Sequence, residues 1–391
     1  MNQLLLGRLS GNVPATVVNS VEEHLFNPII RKHVEEVITI ADPTIERYTF
    51  PSTFPPTFRK YKAFDKKNLY LLKNVSVSPF SGLAWIGNSY FLAESLGALH
   101  RLIGWGNILH EPLLKCEQLD EEEYVISCPN HPYYHWLFET LPNILLALEA
   151  MPSAKIMISN NSPAYCKDLL KFMFGEQGYL KRVIVADSVK VVPKFFSLQQ
   201  EPDAGFIHPV AIQYLQQFPD ELLRQASSSL TGSYIYISRR KAKKRQLANE
   251  EEVEQAMQNL GFTVLYCEDL TFIEQIAAFS KATFIVASHG GGLSNMVWAT
   301  QKASILEVFA YDYFNDCFAR LAVSLGFDYS YTFADEHKGS SGSINVKELV
   351  NTVESILKVE FQDDAALFFQ EQYTTGFFPT TKIRRTFERS L

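Results

Sequence analysis

The sequence predicts an α/β protein built on parallel sheets, and three observations carry that expectation. Strand-like apolar runs alternate with helical patterns from about residue 123 onward. The alternation becomes regular beyond residue 230. A run of glycines, VASHGGGLSN at 286–295, stands at the carboxyl end of one of these strands, where doubly wound sheets hold their ligands.

Taken in order, the first sixty residues, with PSTFPPTF at 51–58, are proline-rich and resist assignment. Strand-like runs follow in NLYLLKNVSVS from 68 and EYVISC at 123–128. A long helix is expected over 132–150, a strand at 154–159, a helix near 163–174 and a strand at 182–187. The stretch 200–230 mixes Pro, Gly and Ser, so a domain boundary is expected there. Beyond it come strand 233–238, helix 249–261, strand 262–267, helix 271–282 and strand 283–288. The glycine turn, a helix from about 292, strand 304–309, a helix near 314–325, strand 328–333 and helix 346–357 complete the pattern. The expected division is 1–205 for an N-terminal domain, 206–360 for a ligand-binding C-terminal domain, and 361–391 for a closing segment.

Composition narrows the function. With 391 residues, 47% hydrophobic and 20% charged, the chain has material for two large cores and no bias towards disorder. A net charge of −7 argues against a general nucleic-acid surface, so any anion needs a local basic site. The five cysteines are odd in number and show no CxxC spacing, which suits a reducing cytoplasm and neither a disulfide framework nor a zinc ribbon. The first residues lack the basic and apolar regions of a signal peptide, and no apolar run reaches membrane-spanning length.

Three glycines in a row abandon side-chain packing, so something must need the backbone close by. One use is the oxyanion hole of an esterase. That reading requires a downstream G-x-S-x-G elbow, and KGSSGS at 338–343 lacks the spacing. The other use is a phosphate cradle at a helix N-terminus. No G-x-G-x-x-G or Walker A pattern accompanies it. It is supported instead by RRKAKKR at 239–245, directly after the strand SYIYIS. Arginine forks bind diphosphate oxygens bidentately. Arg239 is the favoured ligand, whereas Lys241, Lys243 and Lys244 read as a solvated basic hairpin. Glu307 lies among apolar neighbours in SILEVF, where a carboxylate is costly unless paired. A ribose diol and a buried arginine are equally suitable partners.

In HPYYHWLFETLPN, His131, His135, Glu139 and Asn143 are spaced by four and would share one helix face. Tyr134, Leu137, Phe138, Leu141, Ile144 and Leu145 would form the buried side. His131 precedes Pro132 and is expected outside the helix. A metal site lacks a HExxH-like pattern. A general base on an attacking hydroxyl and an interhelical polar network remain as readings.

These stretches, with YCEDLTFIEQIAAFSKATFIVASHGGGLSNMVWA and SILEVF, resemble glycosyltransferase family 61 in its bacterial, capsule-biosynthesis-like branch. The resemblance covers about 120–310, with four motifs in the family's order. It implies a GT-B architecture of two Rossmann-like domains facing a cleft, and inverting transfer from a nucleotide sugar, a UDP-sugar above all, to a glycan or lipid-linked glycan without a required metal. Arg239 and Arg245 then match the diphosphate-binding positions. Ser288, His289, Gly290, Gly291, Gly292 and Asn295 form the donor turn, and Glu307 matches the carboxylate at the ribose. His135 and Glu139 match the catalytic positions, with His135 favoured as base and Glu139 orienting it, and with His131, Tyr134 and Asn143 on the acceptor side. Family members often have Asn near His131, and many have Ala at Gly291. No D-x-D stands at a strand end, in keeping with metal independence. No cofactor beyond the donor and no nucleic-acid partner is expected. The last helix of a GT-B protein commonly returns to the N-terminal domain. Lys382, Arg384, Arg385 and Arg389 would give at most weak peripheral attachment to an inner membrane. A catalytically silent nucleotide-binding scaffold and a GT-B-type sugar-nucleotide epimerase are the competing functions.

Overall fold

The structure, a computed structural model, describes residues 16–50, 52, 54, 58, 60–87, 90–96, 116–201, 203, 205–217, 232–242, 245–310, 313–335 and 342–367. Contacts divide the chain into two compact units, 1–345 and 346–391. The second contains the helix Val346–Leu367. The expected return of residues 361–391, with Lys382, Arg384, Arg385 and Arg389, lies outside the described residues.

Two sheets organise the first unit. The C-terminal one holds β13 (Tyr234–Ile237), β14 (Thr263–Leu265), β15 (Phe284–Ser288), β16 (Ser304–Phe309) and β17 (Asp328–Phe333), in the order β14-β13-β15-β16-β17. Every pairing is parallel. β15 and β16 are buried along their whole length, as continuous apolar runs in parallel sheets demand. Helices Glu250–Asn259, Phe272–Phe279 and Cys317–Ser324 connect them, so this half is doubly wound as expected. The sequence fixes one helix start closely. Thr271 Oγ1 accepts from Glu274 N at 3.3 Å, and Glu274 Oε2 accepts from Thr271 N at 2.8 Å, forming a reciprocal cap. In chain order the strands run 2-1-3-4-5, which puts the topological switch point between β13 and β15.

The N-terminal sheet departs from the parallel expectation. Its ten strands include β5 (Lys67–Val77), β9 (Val125–Cys128), β10 (Lys155–Ser159), β11 (Val183–Ala186) and β12 (Val189–Leu198). The β12-β9-β10-β11 portion is parallel. β5 instead runs antiparallel to β12, from Leu69 opposite Leu198 to Val77 opposite Lys190. The described half-sheet is therefore mixed, and alternation in sequence revealed only its parallel part.

The helix expected over 132–150 starts at Tyr133, after the N-cap Pro132, and leaves His131 outside. It carries a wide π-turn at Trp136–Thr140 before continuing as Leu141–Ala150. Pro142 can supply no N–H to the turn behind it, so the helix widens just ahead of the proline. This helix lies in a core shared by both sheets. Trp136, Phe138 and Leu141 join Ile126 and Ile156 of the first with Ile285 and Ile305 of the second.

Candidate functional site

The site assembles at the switch point. β13 ends at Ile237 and delivers Arg239, while β15 ends at Ser288 and delivers the turn His289–Gly292. Gly290 is extended, so its glycine answers a packing demand and not a strained backbone. A Cβ there would overlap the Arg239 guanidinium, whose Cζ lies 2.6 Å from the position the carbon would take. Gly292 is also tight, with Ile237 Cγ2 at 3.0 Å and Cys267 Sγ at 3.4 Å. Gly291 meets only Tyr133 Cβ, at 3.8 Å. The closest approach to the glycine run, at Gly290, is therefore made by an arginine.

Arg239 is fixed along its length. Its main-chain N donates to Glu250 Oε1 at 3.0 Å, and its Nε donates to the Arg245 carbonyl at 3.2 Å. Burial, and then the neighbouring charge of Arg245, lower its pKa. Arg245 takes a left-handed backbone, φ 58°, uncommon for a side-chain-bearing residue, and lays its guanidinium 4.4 Å from the Tyr313 ring centre. Two half-shielded cations gathered in this way favour an anion between them. The rest of the basic run behaves as a surface hairpin. Arg240 pairs with Glu254 at 3.0 Å and Lys241 pairs with Asp269, while Lys243 and Lys244 lie outside the described residues.

His289 is buried under the turn. Its ring packs on Phe309, Tyr313 and Phe318 at 5.5, 5.0 and 5.1 Å between centres, and its Nδ1 bonds Glu307. Glu307 is fully buried, and its other oxygen accepts from the Tyr329 hydroxyl at 2.5 Å. Burial raises its pKa, while the bonds to His289 and Tyr329 oppose the rise. Both carboxylate oxygens are thus held by protein donors, a histidine and a tyrosine where the sequence left a ribose or an arginine. Asn295, expected at the donor, is wholly buried. Its Oδ1 accepts from Tyr133 Oη at 2.6 Å and Trp298 Nε1 at 3.2 Å, and its Nδ2 donates to Gln275 Oε1 at 2.8 Å. It ties the helix starting at Tyr133 to the glycine turn. Ser288 Oγ is buried beside the turn without a hydrogen bond.

On that helix, His135 Nδ1 and Glu139 Oε1 are 2.7 Å apart. The remaining Glu139 oxygen is buried without a partner. The shared stripe does not form a cleft wall, because the π-turn changes the register and the segment 136–144 is buried on every side. His131 instead sits behind the helix. Its Nε2 contacts the Ser81 carbonyl at 3.0 Å, its Nδ1 contacts Thr140 Oγ1 at 3.1 Å, and burial drops its pKa to about 4. Asn143 is likewise buried. Tyr134 packs on His135 and on Phe318, the ring that also supports His289, and its hydroxyl is buried without a partner. Tyr133, Tyr313, Phe318 and Tyr329 complete the site and escaped the sequence reading. Only the doubled tyrosine of HPYYH gave any signal of them. Among the described residues no three His, Cys, Asp or Glu lie close enough to hold a metal ion, and no helix is long and apolar enough to cross a membrane.

A doubly wound sheet with paired arginines and a glycine turn at its switch point defines an α/β protein of the class that holds ligands at strand carboxyl ends. Residues 133–306 match the family model Glycosyltransferase 61, so this region of the chain is similar to that family, a match that supports glycosyl transfer as the activity class. The match opens on Tyr133 and closes one residue before Glu307, leaving His131 just outside it. No curated protein matches the chain.

Proposed function

We propose that this protein is an inverting, metal-independent glycosyltransferase of GT-B architecture. It moves a sugar from a nucleotide diphosphate, most readily UDP, to a hydroxyl of a glycan acceptor in surface or capsular polysaccharide synthesis. The donor diphosphate lies at the 288–295 turn against Arg239 and Arg245, on the domain 206–360. The acceptor approaches from the domain 1–205, in the cytoplasm.

The observation that carries the reading is the bond from Tyr133 to Asn295, which fastens the helix bearing His135 to the turn that Arg239 faces. Acid–base and anion-holding groups are thereby set on adjoining segments. Glu139 takes the Nδ1 side of His135 and leaves Nε2 for the substrate. In a single displacement, the acceptor oxygen attacks the anomeric carbon and gives its proton to His135 Nε2. The bond from the anomeric carbon to the diphosphate breaks on the opposite face. The electron pair leaves with the phosphate, whose charge the two guanidiniums and the amides of the turn stabilise. Glu139 orients the imidazole and stabilises its charged form, as a carboxylate does in other catalytic pairs. Glu307 acts on the donor through His289, whose ring it fixes.

Calorimetry with UDP, GDP, CMP and dTDP tests the donor. Proton NMR of the product's anomeric centre tests inversion. Incubation with a UDP-sugar and no acceptor separates the alternatives: an epimerised nucleotide sugar would establish an epimerase, and nucleotide binding without turnover under any acceptor would establish a scaffold.

A further inference from the structure

A groove of about 650 Å³ opens in the N-terminal half, away from the arginines and the glycine turn. It falls within the roughly 300–1,000 Å³ of small-molecule sites. Three polar side chains in its wall are more than nine-tenths buried: Lys67, Glu94 and His208. Burying such groups is costly unless something answers them. Lys67 Nζ donates to the Gln199 carbonyl at 2.7 Å and has no carboxylate within ion-pair distance among the described residues. Its ammonium therefore has bonding capacity left over. His208 accepts at Nδ1 from Val210 N at 3.2 Å, so its Nε2 carries the proton. That N–H lies near the Asp65 main chain. Lys62 and Lys66, by contrast, are paired with Glu201 and Glu22.

The lining decides the chemistry. Five carboxylates and three ammonium groups surround the groove, an acid excess that repels a polyanion. The buried Lys67 ammonium repels a cation at the same spot. Pro43 and Ala93 are the apolar residues among the described lining, which offers no phenyl, phenol or indole ring to stack on and no surface for a lipid chain. What remains is a dense mixture of donors and acceptors, including Asn19, Ser20 and Gln200. An uncharged polyhydroxylated ligand suits it, because each hydroxyl both donates and accepts.

The groove also adjoins the segment around the π-turn. Gln200 lines it and lines a second cavity of about 30 Å³, walled by His131, Thr140 and Asn143 behind the π-turn that holds Glu139. Glu139 and Lys67 are close enough for each charge to act on the other.

We propose that this groove is a carbohydrate-binding subsite that grips a neutral stretch of the acceptor glycan remote from the reacting hydroxyl. The assignment rests on the glycosyltransferase reading for its purpose, and on the groove alone for its chemistry. Saturation-transfer NMR on the full chain tests it with cellotetraose, xylotetraose, mannotetraose and chitotetraose, against tetragalacturonate and spermine as charged controls. At least one neutral tetrasaccharide should bind in preference to both controls. Asn19→Trp, whose bulk obstructs the exposed mouth, should weaken that signal, and Lys67→Met, inside it, should weaken it about tenfold, the effect of losing one hydrogen bond to a charged group. UDP binding by calorimetry should persist in both variants. His135→Ala should keep tetrasaccharide binding while losing turnover. If transfer fails with every donor while this binding pattern holds, the catalytic reading falls and the groove assignment stands. Failure of all four tetrasaccharides to bind, preferential binding of either charged control, or an unchanged signal in Asn19→Trp would overturn it.

Discussion

Replacing Gly290 by alanine adds one methyl group at the point where the site is most crowded. The backbone there is extended, so alanine meets no conformational penalty and the whole effect is steric. The new carbon would overlap the Arg239 guanidinium, with Cζ 2.6 Å and Nη2 3.3 Å from it. An arginine head is the movable partner, so it leaves the turn while the fold survives. With the donor phosphate placed as proposed, the expected loss is one charge-assisted contact, about 1.5–3 kcal/mol, or roughly ten- to hundredfold in UDP affinity. Gly291→Ala is the internal control. Its carbon meets Tyr133 at an ordinary 3.8 Å. Gly292→Ala falls between, pressed at 3.0 Å by Ile237, and should chiefly lower stability. Calorimetric UDP affinity and thermal midpoints of the three variants form the assay. Equal UDP affinity in Gly290→Ala and the wild type, with Arg239→Ala also unaffected, would refute the placement of the phosphate.

His135→Ala should lose about two to four decades of turnover with UDP affinity intact, and Glu139→Gln should lose less, in steady-state assays. An active His135→Ala beside an inactive Glu139→Gln would reverse their roles. Tyr133→Phe removes the hydroxyl bonded to Asn295 while Trp298 still serves that oxygen, so a loss of about 1 kcal/mol is expected in urea unfolding. Glu94 is buried, and desolvation pushes its pKa up to about 7 in the folded chain. The raised folded-state pKa means its contribution is fully present below the ordinary glutamate range and is lost as pH rises through about 7. Glu94→Gln should therefore raise the thermal midpoint at pH 8, by at most about 3 kcal/mol of stability, and leave it unchanged near pH 4. A gain of equal size at both pH values would place the effect in packing.

Local pattern carried much of this protein. The strands SYIYIS, TFIVAS and SILEVF were legible because strands buried on both faces are apolar throughout. The glycines, the arginine after β13 and the His135–Glu139 spacing were legible because each is a local demand of the chain or of its chemistry. Other features needed the tertiary structure. The antiparallel pairing of β5 with β12 joins segments more than a hundred residues apart, and alternation of elements says nothing of direction. The π-turn follows from Pro142, but its consequence, the removal of Asn143 from the face that carries His135, depends on how the helix is buried. Glu307 showed in sequence only that a carboxylate needed a partner. That the partners are His289 and Tyr329 was decided by folding, because the parallel register sets β15, β16 and β17 side by side and no local rule specifies which side chains meet across them.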